Sequence, residues 1–476
     1  MSQYLRQRVE KFMKFGEISY NLTVPVTPTV SFTLISEKIS KFELAPFQSQ
    51  TKFVEGKEIL WTGSQFTATV NSMYKMQGEN GEVVGHVPVT FFRMTIEISL
   101  ATSINGDGHL KSDIQQCLVY VGDMIFDFAA NDAEVLRNHL PSIQTSLRDQ
   151  AGMLLCPTFH AELVPLISNR LMNTPMSAAL FDHYFINYGL VGPVVYNSDN
   201  MQLNHRGNVF GILRQGGTRL NDFRLPFRST PFELSSNVTK MVTFQMSNYT
   251  LASLLFWMDQ YRRFDFEINK QTVNNSNIAG YLRTECGLED ICAGTLFPAL
   301  SQKFANGDVN IKSRTTTFPK VQLEEGKALI FFDSRIDAFV NQSDRNRRFL
   351  TANMHHEVHL TKPTFKDYKF RALLNIDSFK ITNVVSLVEG IDETSMEFLI
   401  SALNELIIND EVSKKLKEGI KLPILLDFEQ TSSEIRFEKE RIILGADFCF
   451  EEGCSKTNVS QSRDMDVNYY DVSETT

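Results

Sequence analysis

The chain has 476 residues, 42% apolar and 22% charged, with a net charge of −9. That length holds two or more domains with full cores, and the composition excludes a disordered chain. The acidic balance gives no global attraction to nucleic acid or anionic membranes, and no run of about 18 apolar residues offers a membrane span.

The first expected element is a helix over residues 2–14, with Leu5, Val9, Phe12 and Met13 on one side. Met1 leads into a charged, helix-periodic stretch instead of a basic end and an apolar block, so no signal peptide is visible. Strands follow in "LTVPVTPTVSFTL", "QFTATVNSMY" and "FRMTIEISL". In the last, Phe92, Met94, Ile96, Ile98 and Leu100 alternate with Arg93, Thr95, Glu97 and Ser99, the period of one buried and one wet face. Strands of that kind build antiparallel sheets.

A second helix is expected from Asn131 to Met172, opened by a capping box of Asn131 and Glu134 and broken or kinked at Pro141, Pro157 and Pro165. "LRQGGTRLNDFRLPFRSTPFELSS" reads as a linker. A third helix is expected near residues 250–262. A fourth starts at the capping pair Thr394 and Glu397 and carries Met396, Leu399, Ile400, Leu403, Leu406 and Ile407 at helical spacing, ending near Gly419. "IILGADFCF" is a final strand, and the acidic tail from Glu451 has the composition of a disordered segment. Each half thus runs from a short helix through long strands to a long apolar helix.

The stretch "MHHEVHL", Met354 to Leu360, resembles the zinc-protease pattern H-E-x-x-H but spaces His356 and His359 one residue too closely. As a strand, it puts His355, Glu357 and His359 on one face, with His355 and His359 about 13 Å apart at ~3.3 Å per residue. They cannot share one zinc ion at ~2.1 Å. Glu357 with His359 supplies two ligands at best and needs more from another strand, so a solvated polar face is the expected reading, and no metal or cofactor. No G-x-S-x-G elbow, P-loop or G-x-G-x-x-G occurs, and nothing in the sequence looks catalytic.

Six cysteines fall into three pairs along the chain: Cys117 with Cys156, Cys286 with Cys292, and Cys449 with Cys454. Six N-x-[ST] sequons stand at Asn21, Asn237, Asn248, Asn274, Asn341 and Asn458. Together they point to the secretory pathway and to a leader ahead of Met1, although a chain rich in Asn, Ser and Thr also yields sequons by chance.

From Ile186 to Gly211, "INYGLVGPVVYNSDNMQLNHRGNVFG" resembles the family of bactericidal/permeability-increasing protein, lipopolysaccharide-binding protein and the phospholipid and cholesteryl ester transfer proteins. The similar residues are Asn187, Tyr188, Gly189, Leu190 and Val191, then Arg206, Gly207, Asn208 and Val209. The resemblance continues at Asn248 and Tyr249, at Leu416, Gly419, Leu422 and Pro423, and in "RIILGADFCF".

The resemblance implies an α+β fold: an elongated boomerang of two tubular domains, each a strongly twisted antiparallel sheet wrapped around one short and one long helix, joined by a central antiparallel sheet. It places an N-terminal tube at 1–185, central-sheet strands and linker at 186–247, and a C-terminal tube at 248–430. A final strand at 431–450 and a disordered acidic tail at 451–476 follow. It pairs Cys117 with Cys156, and it implies a strand-forming segment ahead of the first helix that this chain does not show, leaving the first tube incompletely closed.

The implied function is lipid binding, and possible transfer, in two apolar pockets by a secreted, non-enzymatic protein. The partner is a phospholipid or similar two-chain lipid, with transient contact to a membrane or lipoprotein surface and no nucleic acid. Leu5, Val9, Phe12, Met13, Leu163, Leu166, Ile167 and Leu171 would line the first pocket, and Leu251, Leu254, Leu255, Met258, Leu399, Leu403, Leu406 and Ile407 the second. For any one of these residues taken singly, core packing is the plainer reading, since pocket and core use the same residue types. Burying about 30 methylenes at ~0.8 kcal/mol each yields roughly 20 kcal/mol gross. The alternative partner is lipopolysaccharide in an antibacterial, innate-immunity role. The relatives' lysine-rich tip is replaced here by "NSMYKMQGENGEVVGHVPV", where Lys75 faces Glu79 and Glu82, which argues against it.

Overall fold

The computed structural model describes residues 20–43, 48–78, 81–181, 183–215, 218–220, 225–230, 234, 239–272, 276–287, 290–342, 345–403, 414, 416–422 and 429–449. It divides into two units, Met1–Met176 with Tyr188–Arg206, and Ser177–Asn187 with Gly207–Thr476. The architecture is α+β, dominated by antiparallel sheet, as the sequence led us to expect.

The first unit is built on strands β1 (Tyr20–Thr27), β2 (Val30–Glu43), β3 (Ser49–Val54), β4 (Glu58–Gly78), β5 (Gly81–Ile104), β6 (Leu110–Tyr120) and β7 (Asp123–Phe126). They form one sheet in the order β1-β2-β4-β5-β6, with β3 pairing β4 and β7 pairing β5. Alternation buries Val87, Val89 and Phe91 and then Met94, Ile96, Ile98 and Leu100. Phe92, expected inside, is only half-buried. The reason is a slip in register between Phe66↔Met94 and Ala68↔Phe91, where Arg93 takes a positive φ of 52°. An extra residue on one strand shifts the inward phase by one. A short hairpin, β10 (Val195–Tyr196) with β11 (Met201–Gln202), belongs to the same unit.

The expected long helix from Asn131 to Met172 is four helices and a π turn: α1 (Ala130–Leu136), α2 (Leu140–Asp149), α3 (Ala151–Thr158), a π segment (Phe159–Leu163) and α4 (Val164–Met172). Pro141 and Pro165 sit in first turns, where the missing N–H costs nothing. Pro157 lies inside α3, and the wider π turn follows directly. The expected capping box of Asn131 and Glu134 is absent: Asn131 lies inside α1, whose N-cap is Ala129 with no side-chain cap.

The motif at 186–211 is held by backbone hydrogen bonds within each unit. Asn187 N–H donates to the Asn208 carbonyl at 2.9 Å and Gly207 N–H returns a bond to Asn187 at 2.9 Å. Arg206 N–H reaches the Gly189 carbonyl at 2.8 Å, and Leu190 N–H the Gly108 carbonyl at 3.0 Å. Gly108 has a φ of +87°, and a Cβ there would stand 2.9 Å from Leu190 N, so a side chain would disturb the Leu190–Gly108 bond.

In the second unit, β8 (Ser177–Phe181), β9 (Tyr184–Asn187) and β12 (Val209–Gly211) form a small sheet in the order β12-β9-β8. The pair β13 (Leu213–Gln215) and β14 (Thr218–Leu220) stands apart, and β15 (Val242–Ser247) leads into α5 (Asn248–Gln260). The large sheet contains β16 (Phe266–Ile268), β17 (Asp308–Thr315), β18 (Lys320–Glu324), β19 (Lys327–Gln342), β20 (Arg345–Lys366), β21 (Lys369–Ser386) and β22 (Ile420–Lys421). Its order is β16-β17-β19-β20-β21-β22, with β18 on β19. Between these strands lie α6 (Ser276–Tyr281), α7 (Ala293–Leu296) and α8 (Pro298–Lys303), and after them α9 (Glu393–Leu403). The stretch expected to hold one final strand holds two, β23 (Glu429–Glu438) and β24 (Arg441–Cys449), and β24 lies between β15 and β23.

The expected capping pair of α9 is also displaced. Asp392 accepts from Ser395 N–H at 2.8 Å while Asp392 N–H donates to Ser395 Oγ at 2.9 Å, so the reciprocal cap starts two residues before Thr394. Glu397 instead accepts Ile381 N–H at 3.0 Å, and Glu393 accepts Asn383 N–H at 3.0 Å, pinning α9 to β21.

Candidate functional site

In the first unit, the inward face of the sheet and the helical segment share one apolar cluster. Trp61, Phe66, Phe32 and Met94 from the strands meet Ile143, Leu147, Phe159 and Leu163 from the helices. Leu163 is 3% exposed, which makes it part of the closed core. Ile167 and Val164 pack against the same cluster but stay half-buried, and Leu171 is half-buried further along α4. Met153 on α3 is 68% exposed. On α4, Val164, Ile167 and Leu171 are thus apolar side chains only half-buried at the edge of this core.

A disulfide and side-chain hydrogen bonds hold that segment to the sheet. Cys117 on β6 is joined to Cys156 on α3 by a disulfide, and Ser168 Oγ donates to the Ser112 carbonyl at 2.6 Å. At the other end Gln144 Nε2 donates to the Met124 carbonyl at 2.9 Å.

In the second unit the expected lining residues separate into two environments. Leu399 is 7% exposed and packs in a cluster with Leu300, Ile311, Ile336 and Met354. Leu251 packs instead against Leu323, Ala328, Phe437 and Ile442. Leu255 is buried, while Leu254 and Met258 are half-buried. Among the described residues, Leu251 and Leu399 thus do not share one wall. Leu166 and Leu403 lie on α4 and α9, with side chains outside the description, and Leu5, Val9, Phe12, Met13, Leu406 and Ile407 lie outside the described residues altogether.

Cys286 and Cys292 are joined, closing a six-residue separation, and Cys449 is disulfide-bonded, its expected partner Cys454 lying outside the described residues. Asn21 and Asn341 are exposed, Asn248 is half-buried as the first residue of α5, and Asn237, Asn274 and Asn458 lie outside the described residues.

Polar features are sparse but ordered. At the β4–β5 end, Lys75 Nζ lies 3.0 Å from Glu82 Oε1, which neutralises the lysine locally. Burial pushes the Tyr188 phenol up to about 12, so it stays protonated. In the histidine stretch, His356 lies edge-on to Phe332, and burial, with His355 adding, pushes its imidazole down to about 4, so it is neutral at pH 7. His355 Nδ1 sits 2.7 Å from Asp333 Oδ1, and His359 Nε2 sits 2.9 Å from Glu357 Oε1. Asp377 on β21 approaches the far side of the same ring, its Oδ1 3.9 Å from His359 Nδ1. Sequence reasoning missed Asp377 because nothing local links it to a strand about 20 residues earlier.

In each unit a sheet of long antiparallel strands shares an apolar cluster with helices packed on it. Residues 178–450, more than half of the chain, match the model of the LBP / BPI / CETP family, C-terminal domain. The chain belongs to that family. Among solved structures it is similar to a lipopolysaccharide binding protein, at 16% identity and a TM-score of 0.54, over 94% of this chain and 96% of the other. It also matches P47 of Clostridium botulinum A2 (9% identity, TM-score 0.31, 94% and 95% covered) and Takeout 1 of Epiphyas postvittana (12%, 0.24, 37% and 92%). No curated protein matches it in sequence.

Proposed function

We propose that this protein holds the acyl chains of a phospholipid-like, two-chain lipid in apolar pockets, one in each half of the chain. The family is one of lipid-binding proteins. The supporting observation in this chain is the set Val164, Ile167 and Leu171 on α4, apolar yet only half-buried beside a closed core. A solid interior would cover such residues, because each buried methylene contributes about 0.8 kcal/mol. A hydrocarbon guest gains the same energy by covering them.

Lipopolysaccharide is the weaker reading, since the Lys75–Glu82 pair leaves no free cationic tip for lipid A phosphates. The protein acts as a binder or carrier and not as an enzyme. Secretion fits the disulfides, and Asn21 and Asn341 are the most accessible glycosylation sites among the described residues.

Organic extraction and native mass spectrometry of the folded protein test this reading. Co-purified two-chain lipid in stoichiometric amount is expected. Protein that carries none, and takes up none from phospholipid vesicles, would refute it.

A further inference from the structure

We propose that His359 and Asp377 form a binding site for a zinc-class divalent cation on the outer face of the second unit's large sheet, with Glu357 orienting the imidazole. The inference is independent of lipid binding. It starts from strand pairing: β20 and β21 slip between Glu357↔Ser378 and Val358↔Ile376, so Asp377 is an extra residue with no direct partner in the ladder. Asp377 and Ser378 are both exposed, the result of a two-for-one bulge that turns consecutive side chains to one face. The slip is what carries the Asp377 carboxylate to His359.

The chemistry follows from the ring's two nitrogens. Glu357 Oε1 at 2.9 Å accepts from Nε2, which places the neutral ring's proton on Nε2 and a lone pair on Nδ1. That lone pair faces Asp377 Oδ1 at 3.9 Å. The gap is too wide for a hydrogen bond, whose limit is about 3.5 Å. It is close to the ~3.4 Å that separates two ligands of a tetrahedral zinc ion bound at ~2.0–2.1 Å. A carboxylate on the distal ring nitrogen is the arrangement that fixes tautomer and orientation in histidine–metal sites.

Solvent access matches a site that fills from outside. The His359 side chain is 14% exposed, Glu357 28% and Asp377 59%, so the ring is held while the aspartate can close by the remaining fraction of an ångström. Asn375 stands directly opposite His359 in the ladder, its Nδ2 donating to Thr361 Oγ1 at 3.3 Å, and water completes the shell. Imidazole with carboxylate suits zinc better than calcium or magnesium, which take oxygen alone.

The test is calorimetric titration of chelator-treated full chain with zinc chloride at pH 7.5, with the melting temperature followed in parallel. One equivalent is expected to bind and to raise the melting temperature. His359→Gln and Asp377→Asn should each weaken binding at least 10-fold. Glu357→Gln should weaken it about 10- to 100-fold, as loss of an orienting carboxylate does. His355→Asn, which removes the neighbouring pair with Asp333, should bind as the parent does. Absence of stoichiometric binding overturns the proposal, as does binding that survives in both His359→Gln and Asp377→Asn or that disappears in His355→Asn. Asp377→Asn is isosteric at an exposed position, so loss of fold will not obscure the result.

Discussion

Lys240 Nζ lies 2.9 Å from Asp447 Oδ2, a contact that joins residues 207 positions apart and fastens the lead-in of β15 to β24. Ser432 Oγ at 2.7 Å and Met241 N–H at 2.9 Å complete the carboxylate's shell. These donors, Lys240 foremost, hold the Asp447 carboxyl down at about 2. A depressed carboxyl stabilises the fold above its unfolded value near 3.9 and loses that contribution as pH falls through the folded value. Asp447→Asn should therefore lower stability at pH 7 by about 2 kcal/mol at most, with solvent screening reducing the figure, and by only a small fraction of that once pH has fallen to the folded value. Urea unfolding from pH 7 to pH 2 reads the difference.

The disulfide between Cys117 and Cys156 closes a separation of 39 residues. Loop-closure entropy for about 40 residues gives roughly 4 kcal/mol. A Cys117→Ser, Cys156→Ser double variant should shift the denaturation midpoint of the first unit downward by that order, with the second unit unchanged. An unshifted midpoint would show that the shared apolar cluster, with the Ser168 and Gln144 bonds, holds the helices to the sheet without the disulfide.

Ile167→Asn and Leu171→Asn address half-buried positions, whereas Leu163→Asn addresses a residue 3% exposed. The first two should reduce co-purified lipid several-fold with little loss of stability. The third should destabilise the fold by about 3 kcal/mol, the cost of losing core packing and burying an unpaired amide. Lipid content and thermal melts of the three variants separate pocket from core.

Gly294 lies at the start of α7, where an added Cβ would overlap the Thr284 carbonyl oxygen. Backbone on both sides leaves no flexible atom to yield. Gly294→Ala should cost about 3 kcal/mol, seen as a lower melting temperature of the second unit.

Lipid A micelles should show no salt-sensitive attraction to the β4–β5 end, because Glu82 occupies Lys75. Glu82→Lys should create such attraction, strong at low ionic strength and lost at high. A salt-sensitive interaction of the parent protein, abolished by Lys75→Ala, would reverse this assignment.

Antiparallel architecture and family membership were legible because both rest on patterns that survive in one dimension: alternation along strands, and ordered short motifs such as Asn187 to Val191. The phase of individual strands was not. Phe92 follows the alternation on paper, yet the turn of the backbone at Arg93 moves the inward row to Phe91 and Met94, and a bulge leaves no signature in residue type. Helix starts failed for a related reason. Asn131 and Thr394 are good caps in isolation, but Ala129 and Asp392 stand where the chain enters each helix. Leu251 and Leu399 have the same chemistry and helical spacing, and only the folded sheet sends them to different clusters. The Asp377 approach to His359 was hidden because it depends on cross-strand register, which composition does not encode.

The position of β24 between β15 and β23 has a temporal consequence. During synthesis, Val242 emerges about 200 residues before its ladder partner Ala446, roughly 10–40 s earlier at ~5–20 residues per second. For that interval β15 offers an unpaired hydrogen-bonding edge to any passing strand. A chain that stops before Arg441 lacks the strand that covers this edge.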